Sequence, residues 1–198
     1  TIAGGQIFDK LLITNARGNL ASAHTYMEQV RSQTLQNIEE MVRSDRLNHM
    51  LDELAGEAGK VRSVPIDQAL AARADAARLD FMIIATQDGR VIASSTGLEA
   101  GSRLPESYVS RQAATGVPSS AYERFSADML GALSPDLPDR AHIHSNEPSG
   151  YEHNAQHETR GLLINTAAHF ALTNTHPDAI LIGGVLLNNN LPMIDRIR

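Results

Sequence analysis

At Phe81 the hydrophobic pattern of the chain changes period, and that change limits the possible architecture more than any other feature. Phe81-Met82-Ile83-Ile84-Ala85-Thr86 is a short apolar run containing β-branched residues; Gln87-Asp88-Gly89-Arg90 and then Val91-Ile92-Ala93 follow it. Asp-Gly between two such runs signals a hairpin, because a type I′ turn needs positive φ at both central residues. A second strand pair is predicted over 161–172 and 179–187, flanking a turn with His176-Pro177-Asp178. Gly183-Gly184 inside its second member asks for close backbone approach, by a helix lying across the sheet. The stretch 139–145 reads as an intervening strand. Two hairpins and that strand give an antiparallel sheet of about five strands, with helices to cover it.

The first third of the chain has helical period. Apolar or small residues fall at Ile7, Leu11, Ala16, Leu20, Ala23, Met27, Val30, Thr34, Ile38 and Met41. Most steps are three or four residues, which puts them on one face. Glu39 and Arg43 stand four apart on the polar side, and Gly18 is a weak point. A continuous helix here is roughly 50 Å long at about 1.5 Å per residue. A compact domain seldom needs such a rod, so it is expected to run past the core and pack against a partner. Helical spacing continues over 47–54 until Gly56 and Gly59, and a shorter helix runs over 66–79 with Pro65 near its start. Short helices are predicted over 105–115 and 127–133, and a polar loop over 145–159. Asn188-Asn189-Asn190 can cap a helix that opens at Leu191-Pro192 and carries Ile194 and Ile197. The chain stops inside that helix, as a piece of a longer protein would. The expected class is α+β, divided into a helical region (1–60), a sheet-bearing module (61–190) and the start of an exit helix (191–198).

Composition removes several function classes. The formal net charge is -6 and no cluster of Lys and Arg exists, which argues against a nucleic-acid partner. With no cysteine, disulfides, thiolate zinc and thiol catalysis are excluded. Tryptophan is absent, so the core must rest on Leu, Ile, Val, Met and Ala. The longest apolar run, 179–187, is too short to cross a bilayer, and no signal-peptide pattern opens the chain. Nucleophile-elbow, zinc-protease, P-loop and dinucleotide motifs are all missing, so the module is read as non-catalytic and without a cofactor.

Several local stretches carry a family likeness. They are Leu79-Asp80-Phe81-Met82 leading into Asp88-Gly89-Arg90-Val91-Ile92-Ala93; Gly101-Ser102-Arg103-Leu104-Pro105; Asp139-Arg140-Ala141-His142-Ile143; and Glu158-Thr159-Arg160-Gly161-Leu162. The most specific is Gly183-Gly184-Val185-Leu186-Leu187-Asn188, closing on Ile194-Asp195-Arg196-Ile197. Over roughly 65–198 the chain resembles the PAS-like Cache sensor modules of bacterial sensor histidine kinases and methyl-accepting chemotaxis receptors. That resemblance implies a PAS-like sheet and a small-molecule ligand. It also implies a homodimer paired through the N-terminal helix, and a periplasmic, extracytoplasmic position on an inner-membrane protein, tethered to the membrane. Amino-acid-binding double-Cache sensors use a pocket tryptophan, which this chain lacks. Small carboxylates, another ligand class of the wider family, then fit by elimination.

Candidate ligand residues follow from polar groups in apolar settings. Asn165 and His169 interrupt an apolar strand on the face shared with Leu163 and Ala167. If Leu162, Ile164 and Thr166 face the helical layer, those two look toward the opposite side, where a Cache pocket would lie. Arg140 or Arg103 could supply a guanidinium for a carboxylate, and Tyr122 and Tyr151 could close the pocket. His142 and His144 would share a strand face; together with His153, His157, His169 and His176 they make a metal-sensing module the main rival reading. Loop histidines are, however, ordinarily solvated. A ligand-free dimerisation scaffold is the other alternative.

Overall fold

Residues Ala179–Leu186 form β5, the strand at the centre of the molecule, and every one of them is buried. The computed structural model describes residues 2–45, 47, 49, 64–141, 160–170 and 178–188; for 2–17, 19, 64, 65 and 170 it describes the backbone only. Around β5 stand β1 (Phe81–Thr86), β2 (Val91–Ser94), β3 (Ser119–Phe125) and β4 (Gly161–Phe170), in the order β2-β1-β5-β4-β3, every pairing antiparallel. This is the α+β class expected, a PAS-like sheet of five strands with helices on both faces. Strands buried on both faces carry unbroken apolar runs rather than alternation, which is why β1 and β5 read so clearly as strands.

Two helices cover one face: α1 (Ile2–Val42) and α2 (Val64–Ala76). Ile38, Ile66, Leu70 and Ala74 pack there on Met82, Ile84, Ile164, Ala168, Leu181 and Val185, and Leu47 joins the same cluster. Three short helices cover the other face: α3 (Tyr108–Ala114), α4 (Ala127–Gly131) and α5 (Leu137–Ala141). Their Val109, Ala113, Leu130, Leu137 and Ala141 meet Phe81, Ile83, Leu163, Ala167, Ile182 and Leu186. At 41 residues, α1 is about 60 Å long. It continues through Gly18, with Leu20 69% exposed. Packing on the apolar cluster of the sheet begins at Val30 and deepens at Thr34 and Ile38.

The paired glycines do what their position in the strand suggested. A Cβ on Gly183 would lie 2.9 Å from Cδ1 of Ile38, so the long helix rests directly on the backbone of β5. On the opposite face, a Cβ on Gly184 would lie 2.6 Å from the Ile164 carbonyl and 2.8 Å from the Phe81 ring.

Two expectations are corrected. The β1–β2 turn is not type I′: Gly89 alone has positive φ (83°), while Asp88 does not. Its amide donates to the Thr86 carbonyl, and the Thr86 amide donates to that of Arg90. That is a type I turn closed by a left-handed glycine. Asp139-Arg140-Ala141 are not strand but the end of α5, where Asp136 and Arg140 pair across one turn at 3.2 Å. Residues 142–145 lie outside the described residues. The fifth strand is instead Ser119–Phe125, at the sheet edge, where only alternate residues need be apolar.

Candidate ligand site on the α3 face

In register, β4 places Asn165 opposite Gly184 on one side and Ala121 on the other. Alternation then fixes its side chain on the α3 face with Leu163 and Ala167, as the sequence pattern suggested. The side chain is 1% exposed. Its Nδ2 donates to Oε2 of Glu123 on β3 at 2.8 Å. Glu123 also accepts, through Oε1, the Tyr108 amide at the first turn of α3 (2.7 Å). With a carboxylate as partner, the amide group can sit only one way round: its NH₂ must face Glu123.

That orientation leaves Oδ1 of Asn165 buried and empty-handed. Among the described residues it is the one buried side-chain polar atom with no hydrogen-bond partner. An acceptor left unpaired in an interior costs about 1–3 kcal/mol. Native proteins keep few such groups, and each needs a reason. Glu123 is partly buried, and among the described residues it has no ion-pair partner. The site is thus acceptor-rich and negative.

On the reverse side of the same edge strand a second polar group ties β3 to α1. The Tyr122 hydroxyl donates to Oε1 of Glu28 at 2.7 Å, and Arg31 holds Oε2 of Glu28 at 2.7 Å. Arg31 also donates to the Ser120 carbonyl at 3.2 Å. Burial and the bond to Glu28 push the Tyr122 phenol up to about 12. The Arg31 and Tyr122 hydrogen bonds hold the Glu28 carboxyl below the ordinary carboxylate range. Glu123 and Tyr122 are neighbours on one strand: one faces Asn165, the other faces the long helix.

The remaining candidate residues are scattered. Arg140 lies at the strand ends, its guanidinium held by Asp80 and Asp136; Asp80 also accepts the Leu186 amide at 2.7 Å. Arg103 is exposed and bridges Arg90 beyond β2, at the edge farthest from β3. His169 shares the Asn165 face four residues on, with Nε2 3.6 Å from Asp178. Tyr122 faces α1 rather than Asn165. His142, His144 and Tyr151 lie outside the described residues, as do His153, His157 and His176. Among the described residues no group of three or more His, Asp, Glu or Cys could hold a metal ion. A shallow groove of about 380 Å³ lies between α1 and α2, beside Met41, Arg73 and Ala77, on the opposite side of the sheet from Asn165. Sequence reasoning missed Glu123. Once β3 is known to be a strand, its acidic side chain between Ala121 and Phe125 on the inward face is the signal.

Among the described residues no helix is long and apolar enough to cross a membrane. No family model, curated protein or solved structure matches the chain.

Proposed function

We propose that this chain is the ligand-sensing input module of a transmembrane receptor of the Cache type, from a sensor histidine kinase or a chemoreceptor. In this reading it lies in the periplasm, tethered to the inner membrane. The observation that carries it is the edge strand β3, which sets Glu123 against the buried Asn165 of β4, with its unsatisfied Oδ1, on one face and makes the Tyr122–Glu28–Arg31 tie to the long helix on the other. A ligand that engages Glu123 pulls on the strand that holds α1. Coupling requires only that the ligand bind one arrangement of β3 and α1 better than another, and the shift is bounded by that difference in affinity. The helix that runs past the sheet, with Leu20 open to solvent, supports pairing with the α1 of a second copy. No catalytic step is part of this reading.

The test is a thermal-shift screen of small organic ions and metals on the full chain, followed by calorimetry. A small molecule that raises the melting temperature, with binding weakened by Glu123→Gln, supports the sensor. A chain stabilised by nothing in the screen, yet dimeric by sedimentation, is a scaffold and ends it.

A further inference from the structure

We infer that the α3 face of the sheet receives a small molecule carrying a protonated amine, with Asn165 and Glu123 as its recognition pair. This rests on the sensor reading above and sharpens it, and it departs from the carboxylate expected from the sequence. The pair offers acceptors. The Asn165 amide hydrogens are spent on Glu123, while Oδ1 lacks a partner and is buried. Glu123 accepts two N–H groups, and among the described residues no cation neutralises it. Each carboxylate oxygen keeps a second lone pair.

An anionic ligand would meet like charge here, and the amide hydrogens of the pair are already spent. A water would satisfy Oδ1 and leave the charge unmet. An ammonium answers both: one N–H to Oδ1, its charge to the carboxylate, in a charge-assisted bond of the stronger kind. Glu123 is partly exposed, so the cation meets it first, and Asn165 lies behind. Tyr108, whose amide holds Glu123, is 51% exposed at the same helix start. Its ring is available to stack on a cation once one arrives.

Calorimetry on the full chain tests this with three probe sets of matched length: alkylammonium and alkyldiammonium ions, alkyl carboxylates and dicarboxylates, and neutral diols. At least one ammonium probe is expected to bind. Glu123→Gln, which keeps the shape and one of the two acceptor oxygens but removes the charge, should weaken it about tenfold or more, and Asn165→Leu similarly. Arg103→Ala, at the far sheet edge, should leave affinity unchanged. Circular dichroism melting of each variant shows whether it folds, and Glu123→Gln alone decides the matter if Asn165→Leu does not. Carboxylate binding that is unchanged or improved by Glu123→Gln overturns the amine assignment while leaving the sensor reading intact. Binding by no probe of any set overturns both.

Discussion

The two faces of the sheet are built differently. The α1 face is closed by one rod and one shorter helix; its buried hydroxyls, Thr34 and Thr166, are paired, and its charged contacts sit at the rim, where Tyr122, Glu28 and Arg31 meet. Three helices of five to seven residues close the other face, with a polar pair set among apolar residues. Long helices move as units, whereas short ones can shift separately. On the sensor reading proposed above, reception belongs to the α3 face and transmission to the α1 face.

Substitution of matched core residues should break that contrast most strongly. Ile38→Ala and Leu130→Ala each remove a fully buried side chain, one from each face, and each should cost about 3 kcal/mol in urea denaturation. Only Ile38→Ala should also raise amide exchange along the sheet-bound part of α1. Equal exchange in both variants would mean that the faces are not mechanically distinct.

The paired glycines give a smaller, more discriminating contrast. Gly184→Ala presses a methyl on a backbone carbonyl that cannot yield, and should cost about 3 kcal/mol. Gly183→Ala meets the ends of the Ile38 and Leu79 side chains, which can turn away; about 1 kcal/mol is expected, with α1 lifted from the strand. Reversal of that order in chemical denaturation would remove the helix-on-backbone contact as described.

The smallest effects belong to the rim. Tyr122→Phe deletes one partly exposed hydrogen bond and should cost about 0.5 kcal/mol. In an alkaline titration followed by phenolate absorbance, Tyr122 should ionise near 12, later than an ordinary tyrosine, and earlier in Glu28→Ala. The linkage has opposite signs at the two ends of the pH scale. Tyr122, raised when folded, adds stability below the ordinary tyrosine value and loses it as pH climbs through about 12. Glu28, lowered when folded, adds stability above the ordinary carboxylate value and loses it as pH falls through its depressed one.

How much of this was legible in the sequence follows from burial. β1 and β5 are enclosed on both sides, so their apolar runs declared them, and the Gly183-Gly184 pair announced the helix above. Asn165 stood out as an amide inside the mostly apolar stretch of β4, where either a pocket or open solvent on that side would explain it. β3 was missed because an edge strand buries one side only, and Tyr122 and Arg124 on its outer side dilute the pattern. Glu123 was hidden with it. Arg140 looked available in sequence, but its partners Asp80 and Asp136 come from another segment and from the preceding turn. Only the fold brings Asp80 within reach.

Where two successive residues of a central strand lack side chains, the sheet is only one backbone thick. Phe81 and Asn165 border that spot on one side, and Ile38 presses on it from the other. Elsewhere two layers of side chains separate the helices on the two faces. Here little more than the β5 backbone stands between the Phe81 ring and Cδ1 of Ile38, so on the sensor reading a push beneath Phe81 has its shortest path to the rod above.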